Sequence, residues 1–209
     1  MDLDLMEMWH TMNPVVKSAV IVLTIQGLWG VTVTIDRLLM LFMSNRRSKT
    51  FAKEVSAPME KGDAIGAMKV AEEASKNSHL ARFIYEGIKT FEDNLALGMS
   101  RDRAAEFAKR ELERTGENLS MSLNKGLAVI ATTGSTAPFV GLLGTVFGIL
   151  GAFKVIGSEG GGGLSVIGPL IGEALYITGY GLMVAIPSVM LFNWLSGKIA
   201  KYEAGLANA

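Results

Sequence analysis

Glu173 is a lone carboxylate inside a long apolar stretch. It is the only charged residue between Leu164 and Gly197. Placing an ionised carboxylate in hydrocarbon costs roughly 3 kcal/mol on insertion scales, so acids at such positions usually face a bundle interior or a water-filled path. Glu173 therefore predicts ion movement across a membrane as the leading function, provided that the surrounding segments cross one.

The composition favours a membrane protein without a cofactor. Of 209 residues, 49% are hydrophobic and 19% charged, which is too apolar for an ordinary soluble domain. The 20 basic and 20 acidic residues cancel, so no overall field favours nucleic acid. The absence of cysteine excludes disulfides and thiolate metal sites, and His10 and His79 are too distant in sequence to suggest a metal cluster. With no nucleophile–base pair or nucleotide loop in the sequence, an enzyme is not expected.

Three uncharged or nearly uncharged runs are long enough to cross a bilayer. They are Ser18–Ile35, extended by apolar residues 38–43, then Leu127–Phe153, and Leu164–Gly197. A membrane-spanning helix needs about 20 residues. A helix is the fitting structure because it satisfies its backbone hydrogen bonds internally. The sequence predicts three transmembrane helices, with Glu173 on the third.

The charges at the ends of these runs predict an orientation. Acidic residues precede the first run and basic residues follow it: Asp2, Asp4 and Glu7 before, and Arg46, Arg47, Lys49 and Lys53 after. Lys125 precedes the second run, while Lys198 and Lys201 follow the third. Because basic residues concentrate in cytoplasmic loops, the N-terminus is expected outside and the C-terminus in the cytoplasm.

The segment between the first two runs carries most of the charge and a helical pattern. Apolar residues recur on one helical face at Leu80, Phe83, Ile84, Gly87, Ile88, Phe91 and Leu95. Residues 95–100 predict a turn, after which Asp102 is expected to cap a helix. The leucine spacing from Leu112 to Leu127 then predicts one long helix continuing into the membrane.

The predicted organisation is all-α: an integral membrane protein with three transmembrane helices, long cytoplasmic helical extensions and a ring-forming oligomer. Its expected segments are a periplasmic N-terminus 1–17, transmembrane helix 18–43, cytoplasmic insert 44–125, transmembrane helix 126–154, periplasmic loop 155–164, transmembrane helix 165–196 and cytoplasmic C-terminus 197–209.

Glycine appears in two patterns with different expected roles. Gly141, Gly144, Gly148 and Gly151 form a small-residue stripe, which is typical of close helix packing. The run 160–163 lacks the Lys-Ser/Thr that follows a phosphate-binding loop, so a flexible linker is expected there.

Two strings carry a resemblance to a known family. They are Ser135-Thr136-Ala137-Pro138-Phe139-Val140-Gly141-Leu142-Leu143-Gly144-Thr145-Val146-Phe147-Gly148-Ile149, and Gly172-Glu173-Ala174-Leu175 followed by Gly181-Leu182-Met183-Val184-Ala185-Ile186-Pro187. Both closely resemble the MotA/TolQ/ExbB family of ion-channel stator subunits, and ExbB and TolQ more than MotA, which has four spans. The resemblance is strongest over residues 125–195. The Asp36-Arg37-Leu38 string that ends the first span is similar to the family's acid-Arg-Leu pattern.

The resemblance implies an assembly as well as a fold. It implies an inner-membrane pentamer of this chain around two transmembrane helices of a small single-span partner, ExbD- or TolR-like. The aspartate of that partner would carry the proton. Ion flow would then drive mechanical work, delivered to the envelope by a TonB- or TolA-like protein, as in TonB-linked nutrient uptake. A Tol-type envelope-maintenance motor or a gliding or secretion motor would use the same parts.

Thr145, Glu173 and Thr178 match the family's pore threonines and channel glutamate. A threonine hydroxyl both donates and accepts hydrogen bonds, so these residues could relay protons or hold water. Glu173 and Thr178 lie about 140° apart on an ideal helix. We therefore expect Thr145 and Thr178 to face the pore, with Glu173 at its rim or turned toward a neighbouring subunit.

Structural roles compete with these assignments. A membrane threonine commonly bonds the carbonyl four residues earlier, and Glu173 could make a hydrogen bond across a subunit interface. The transported ion also stays open: protons are favoured by the resemblance, although hydroxyls also ligate sodium. A non-conducting membrane scaffold is the alternative from another functional class.

Overall fold

The structure, a computed structural model, describes residues 9–10, 12–158 and 164–207, and in this part the chain forms helices joined by short turns. The helices are α1 (Pro14–Glu60), α2 (Ala64–Ser75), α3 (His79–Ala96), α4 (Arg101–Asn124), α5 (Leu127–Ser158) and α6 (Leu164–Ala207). The glycine run 160–163, predicted to be a linker, lies outside the described residues.

Helices α1, α5 and α6 are each long and apolar enough to cross a membrane. This confirms the prediction of an all-helical chain with three candidate spans. The helices continue beyond the predicted transmembrane segments, because α1 ends at Glu60 and α6 at Ala207. The limits of the membrane segments, and the side on which each end lies, stay predictions.

The described residues divide into two compact units. Unit 1 contains residues of Met1–Ile35 and Gly126–Trp194, and unit 2 contains residues of Asp36–Lys125 and Leu195–Ala209. Helices α1 and α6 therefore contribute to both units. Unit 1 holds Glu173 and both predicted pore threonines, while unit 2 corresponds largely to the charged insert.

The prediction of one long helix from Asp102 into the membrane is wrong, because the helix is interrupted at Gly126. Helix α4 ends at Asn124 and α5 begins at Leu127, with Gly126 at φ +83° between them. A β-carbon on Gly126 would lie 2.9 Å from a methyl of Val33, and L side chains rarely adopt this φ. The leucine spacing continues across this break, so periodicity alone could not reveal it.

The predicted turn before α4 is confirmed, although its cap is not Asp102. Helix α3 ends at Ala96, Gly98 has φ +80°, and Ser100 occupies the N-cap position of α4. Asp102 instead lies in the first turn of α4, where a carboxylate interacts favourably with the helix dipole.

Helices α3 and α4 form an antiparallel pair in unit 2, and the predicted apolar face of α3 lies in it. A β-carbon on Gly87 would lie 2.9 Å from Leu112, and one on Gly116 would lie 3.5 Å from Phe83. The buried core of unit 2 combines side chains of α1, α2, α3 and α6: Phe51, Val55, Ala67, Ala71, Leu80, Ala81 and Leu206.

A hydroxyl network connects α1, α3 and α6 within unit 2. The Ser44 hydroxyl lies 2.8 Å from His79 Nδ1 and 2.6 Å from the Tyr202 hydroxyl. The Ser48 hydroxyl lies 3.2 Å from that of Ser78, which accepts a hydrogen bond from the first turn of α3. Burial, together with the nearby Arg82 charge, lowers the pKa of His79 below its ordinary 6.5. Unit 2 therefore contains a partly buried titratable group where α1, α3 and α6 meet.

Asp36 and Arg37 form an ion pair on α1. The Arg37 guanidinium donates to Asp36 Oδ2 at 2.6 Å and also to the backbone carbonyl of Ser122. The hydrogen bond from Arg37 to Ser122 thereby connects the middle of α1 to the end of α4 inside unit 2.

Candidate ion pathway

The polar site of unit 1 lies where helices α5 and α6 cross at close distance. A β-carbon on Gly181 would lie 2.7 Å from the carbonyl oxygen of Ala137 and 3.1 Å from the Cα of Gly141. A β-carbon on Gly141 would lie 3.0 Å from the carbonyl oxygen of Ile177. Since backbone atoms cannot give way as a flexible side chain can, this crossing requires small residues on both helices.

The predicted glycine stripe is confirmed at three of its four positions. A β-carbon on Gly144 would lie 2.6 Å from a methyl of Ile177, and one on Gly148 would lie 2.8 Å from the β-carbon of Ala174, both closer than ordinary van der Waals contact. Gly141 lies at the crossing itself. The position of Gly151 differs, because an added β-carbon there has only the Asn13 amide nearby, at 3.8 Å.

Thr145 of α5 and Thr178 of α6 meet beside this crossing. Their hydroxyl oxygens contact each other. The Thr145 hydroxyl also lies 3.0 Å from the carbonyl oxygen of Ala174 and 3.2 Å from that of Gly141, while the Thr178 hydroxyl lies 3.4 Å from the latter. Each threonine thus reaches the carbonyl four residues before the other threonine.

The pair has two complementary hydrogen-bond arrangements because each hydroxyl carries a single proton. In one, Thr178 donates to Thr145, which donates to the Ala174 carbonyl. In the other, Thr145 donates to Thr178, which donates over a longer distance to the Gly141 carbonyl. Switching between them reverses the direction of the hydrogen bonds, which is the step that a hydroxyl contributes to a proton relay.

The alternative structural role of Thr145 is also visible. Its hydroxyl lies within hydrogen-bond distance of Gly141, four residues earlier on its own helix. The shorter distance, however, is to Ala174 on the other helix. Thr145 therefore connects two helices, beyond the local bond that a membrane threonine commonly makes.

Glu173 lines a cleft of about 300 Å³ next to this pair. The cleft lies between the start of α1, the second half of α5 and the first turns of α6, and it is lined by Met12, Asn13, Pro14, Val16, Gly148, Gly151, Val155, Leu170, Glu173 and Ala174. Glu173 is half-buried there. Ala174, the next residue, provides the carbonyl that Thr145 contacts.

The structure therefore brings Thr145 and Thr178 together and places Glu173 on the adjoining cleft. Thr178 lies about one and a half turns further along α6 than Glu173, and its hydroxyl contacts that of Thr145 on α5.

Two further polar contacts of α1 were missed from the sequence. The Thr24 hydroxyl lies 3.0 Å from that of Tyr180, and the Gln26 amide nitrogen lies 3.5 Å from the Thr136 hydroxyl. Gln26 Oε1 is buried without a hydrogen-bond partner among the described residues. The sequence marks Gln26 as unusual, because it is the only amide side chain in the first uncharged run. Nothing in the sequence indicates which residues it contacts.

The fold and this site define a helical membrane protein with three candidate spans, in which two helices share a partly buried hydroxyl pair beside a carboxylate. Comparison with known proteins agrees. The model of the MotA/TolQ/ExbB proton channel family matches residues 75–207. The chain belongs to this family.

Curated relatives are named for one branch of the family. The chain is 44% identical over 111 residues to biopolymer transport protein ExbB of Xanthomonas campestris, covering 51% of this chain and 44% of that protein. It is 43% identical over 105 residues to ExbB of Aquifex aeolicus, covering 50% and 71%. It is 45% identical over 80 residues to putative biopolymer transport protein ExbB-like 2 of Helicobacter pylori, covering 38% and 53%.

Each match covers only part of the relative's length. The chain spans less than half the length of the Xanthomonas relative and about a third of an ExbB from Pseudomonas putida. Family membership and the three apolar helices together support a multi-pass protein of the inner membrane.

Proposed function

We propose that this chain is an ExbB-like stator subunit of an inner-membrane proton channel. Together with an ExbD- or TolR-like single-span partner, it converts the proton motive force into mechanical work for envelope transport of the TonB type. Thr145, Thr178 and Glu173 form its share of the proton pathway. The observation that carries this proposal is the hydroxyl pair, placed by α5 and α6 within the segment that the family model matches.

The pair suits transport because its hydrogen bonds are reversible. Either hydroxyl acts as donor while the other accepts, with carbonyls of Ala174 and Gly141 available at the two ends. A change of donor in one helix therefore reverses the hydrogen bonds made by the other helix. Glu173, on the adjoining cleft, is the carboxylate that exchanges protons with water or with the partner.

A ring of several copies, most simply a pentamer, completes the pathway. Within the isolated protomer α5 and α6 leave large apolar side chains exposed, among them Phe139 at 70% and Met183 at 69%. Neighbouring copies, the partner's helices and lipid together would cover these surfaces. The N-terminus would lie in the periplasm, and residues 44–125 and 197–209 in the cytoplasm.

Proton flux into liposomes tests the proposal. The chain is reconstituted with its single-span partner, and pH-dependent dye fluorescence is followed after a potential is imposed. Flux is expected to need the partner and to fall at least tenfold in Glu173→Gln, in line with the contribution of a positioned acid–base group.

Ser188→Ala is the matched control. Ser188 is a buried α6 residue whose hydroxyl donates to its own helix at Val184, 2.7 Å away, so its removal should leave flux unchanged. Full flux in Glu173→Gln would contradict the role of Glu173. The absence of flux with the partner under any imposed potential would favour a non-conducting scaffold.

A further inference from the structure

A groove in unit 2, outside the candidate ion pathway, combines an apolar wall with two arginines. It has a volume of about 530 Å³ and is lined by Phe42, Met43, Arg46, Arg47, Thr50, Phe51, Glu54, Ala74, Asn77 and Ser78. These residues belong to α1 and to the junction of α2 and α3. The volume is within the range of small-molecule sites.

The apolar wall lies on one face of α1 and ends in positive charge. Leu39, Phe42 and Met43 are 58%, 73% and 48% exposed, and Arg46 and Arg47 follow on the same face one turn later. At 1.5 Å per residue, the Cα of Arg46 lies about 4.5 Å along the helix axis beyond that of Met43. Apolar surface and positive charge are therefore adjacent along α1.

The charge of the groove favours an anion. Two guanidinium groups face one carboxylate, that of Glu54. Arg47 Nη1 donates to the Asn77 side chain at 3.1 Å, which holds this guanidinium toward the groove. A guanidinium has five donor hydrogens, so this bond occupies only one of those that Arg47 offers. Planar guanidinium groups suit phosphate because they bind it through two hydrogen bonds.

We propose that this groove, the Arg46–Arg47 groove, binds the headgroup of an anionic phospholipid whose acyl chain lies along Leu39 and Phe42. A free phosphate would not account for the exposed apolar side chains, and a second copy of the chain would not by itself account for the adjacent arginines. The site is separate from proton conduction, so its test does not depend on the proposed function.

Lipid retention measured by native mass spectrometry tests this. The full chain is reconstituted in nanodiscs of mixed phosphatidylglycerol and phosphatidylcholine, then released so that lipids bound per protomer are counted. The Arg46→Gln, Arg47→Gln double variant is expected to lower the preference for phosphatidylglycerol roughly tenfold, because each basic residue near an anionic lipid surface adds to the electrostatic attraction. The Arg46→Lys, Arg47→Lys variant should retain only part of that preference, because it keeps the charge but loses the paired hydrogen bonds of the guanidinium groups.

The matched control removes equal charge outside the groove. Lys53→Gln with Lys61→Gln changes two exposed lysines that do not line it, and should leave the preference intact. An equal loss in the control would overturn the proposal in favour of general surface charge. Displacement of phosphatidylglycerol by inorganic phosphate would overturn the lipid assignment, and a change of assembly mass without a change of lipid would indicate that another copy fills the groove.

Discussion

Units 1 and 2 both bury hydroxyl groups between helices, but they do so in different surroundings. In unit 1 the Thr145–Thr178 pair lies next to a glycine crossing and ends on backbone carbonyls. In unit 2 the Ser44 and Tyr202 hydroxyls both lie beside His79 Nδ1. Hydroxyl groups therefore join helices in both units, through backbone carbonyls in unit 1 and around a titratable imidazole nitrogen in unit 2.

The largest expected effect on stability comes from the glycine crossing. Gly181→Ala would place a methyl 2.7 Å from the Ala137 carbonyl oxygen, so α5 and α6 must separate. Overpacking of this kind typically costs about 1–3 kcal/mol, and the threonine contact should be lost with it. Thermal unfolding of the purified protein in detergent measures the change. Gly179→Ala is the matched control, since an added β-carbon there meets nothing within 4 Å; equal destabilisation by both variants would contradict the account.

A smaller effect is expected at the hydroxyl network of unit 2. Tyr202→Phe keeps the ring but removes the hydroxyl that lies near Ser44 and Ser48. Losing a buried hydrogen-bond partner costs about 1–3 kcal/mol, and the flexible serines should keep the loss at the lower end. Chemical denaturation followed by a probe in unit 2 would detect it. Ser56→Ala, which removes an exposed hydroxyl bonded within its own turn, is the comparison that should show no change.

The pH dependence of unit 2 gives the subtlest difference between the units. Because the folded-state pKa of His79 lies below 6.5, the unfolded chain binds more protons just below that pH. Stability should therefore be greatest above about pH 6.5 and fall as the pH drops through the folded-state pKa of His79. Denaturation midpoints measured across this interval would show the slope. His79→Gln should flatten it, whereas an unchanged slope in that variant would assign the pH dependence to other groups.

The sequence predicted the three apolar helices, α3 and the turn before α4, but neither α2 nor the continuation of α1 to Glu60 and of α6 to Ala207. Uncharged runs predicted the three long helices, because a membrane-spanning helix needs a minimum apolar length. The amphipathic face from Leu80 to Leu95 likewise predicted α3. The break at Gly126 was missed since it depends on a positive φ and on the approach of Val33, neither of which periodicity records.

The residues of the candidate site came from the resemblance, and their role in ion movement stays a prediction. The resemblance singled out Thr145, Glu173 and Thr178, and the structure joins the two threonines. Their contact depends on the Gly141–Gly181 crossing, which sets the helix separation and register. The contacts of Thr24 and Gln26 were missed because pairing between distant residues requires the three-dimensional arrangement of the helices.

Proton flux in conservative Thr178 variants tests the central claim most directly. Thr178→Val keeps the branched shape and removes the hydroxyl, whereas Thr178→Ser keeps the hydroxyl and removes a methyl. With the partner present in liposomes, we expect Thr178→Val to lose at least tenfold in flux, as for a group that participates in proton transfer. Thr178→Ser should retain most of the flux. Equal flux in the valine and serine variants, with both proteins folded, would contradict a role for the hydroxyl pair in the proton pathway.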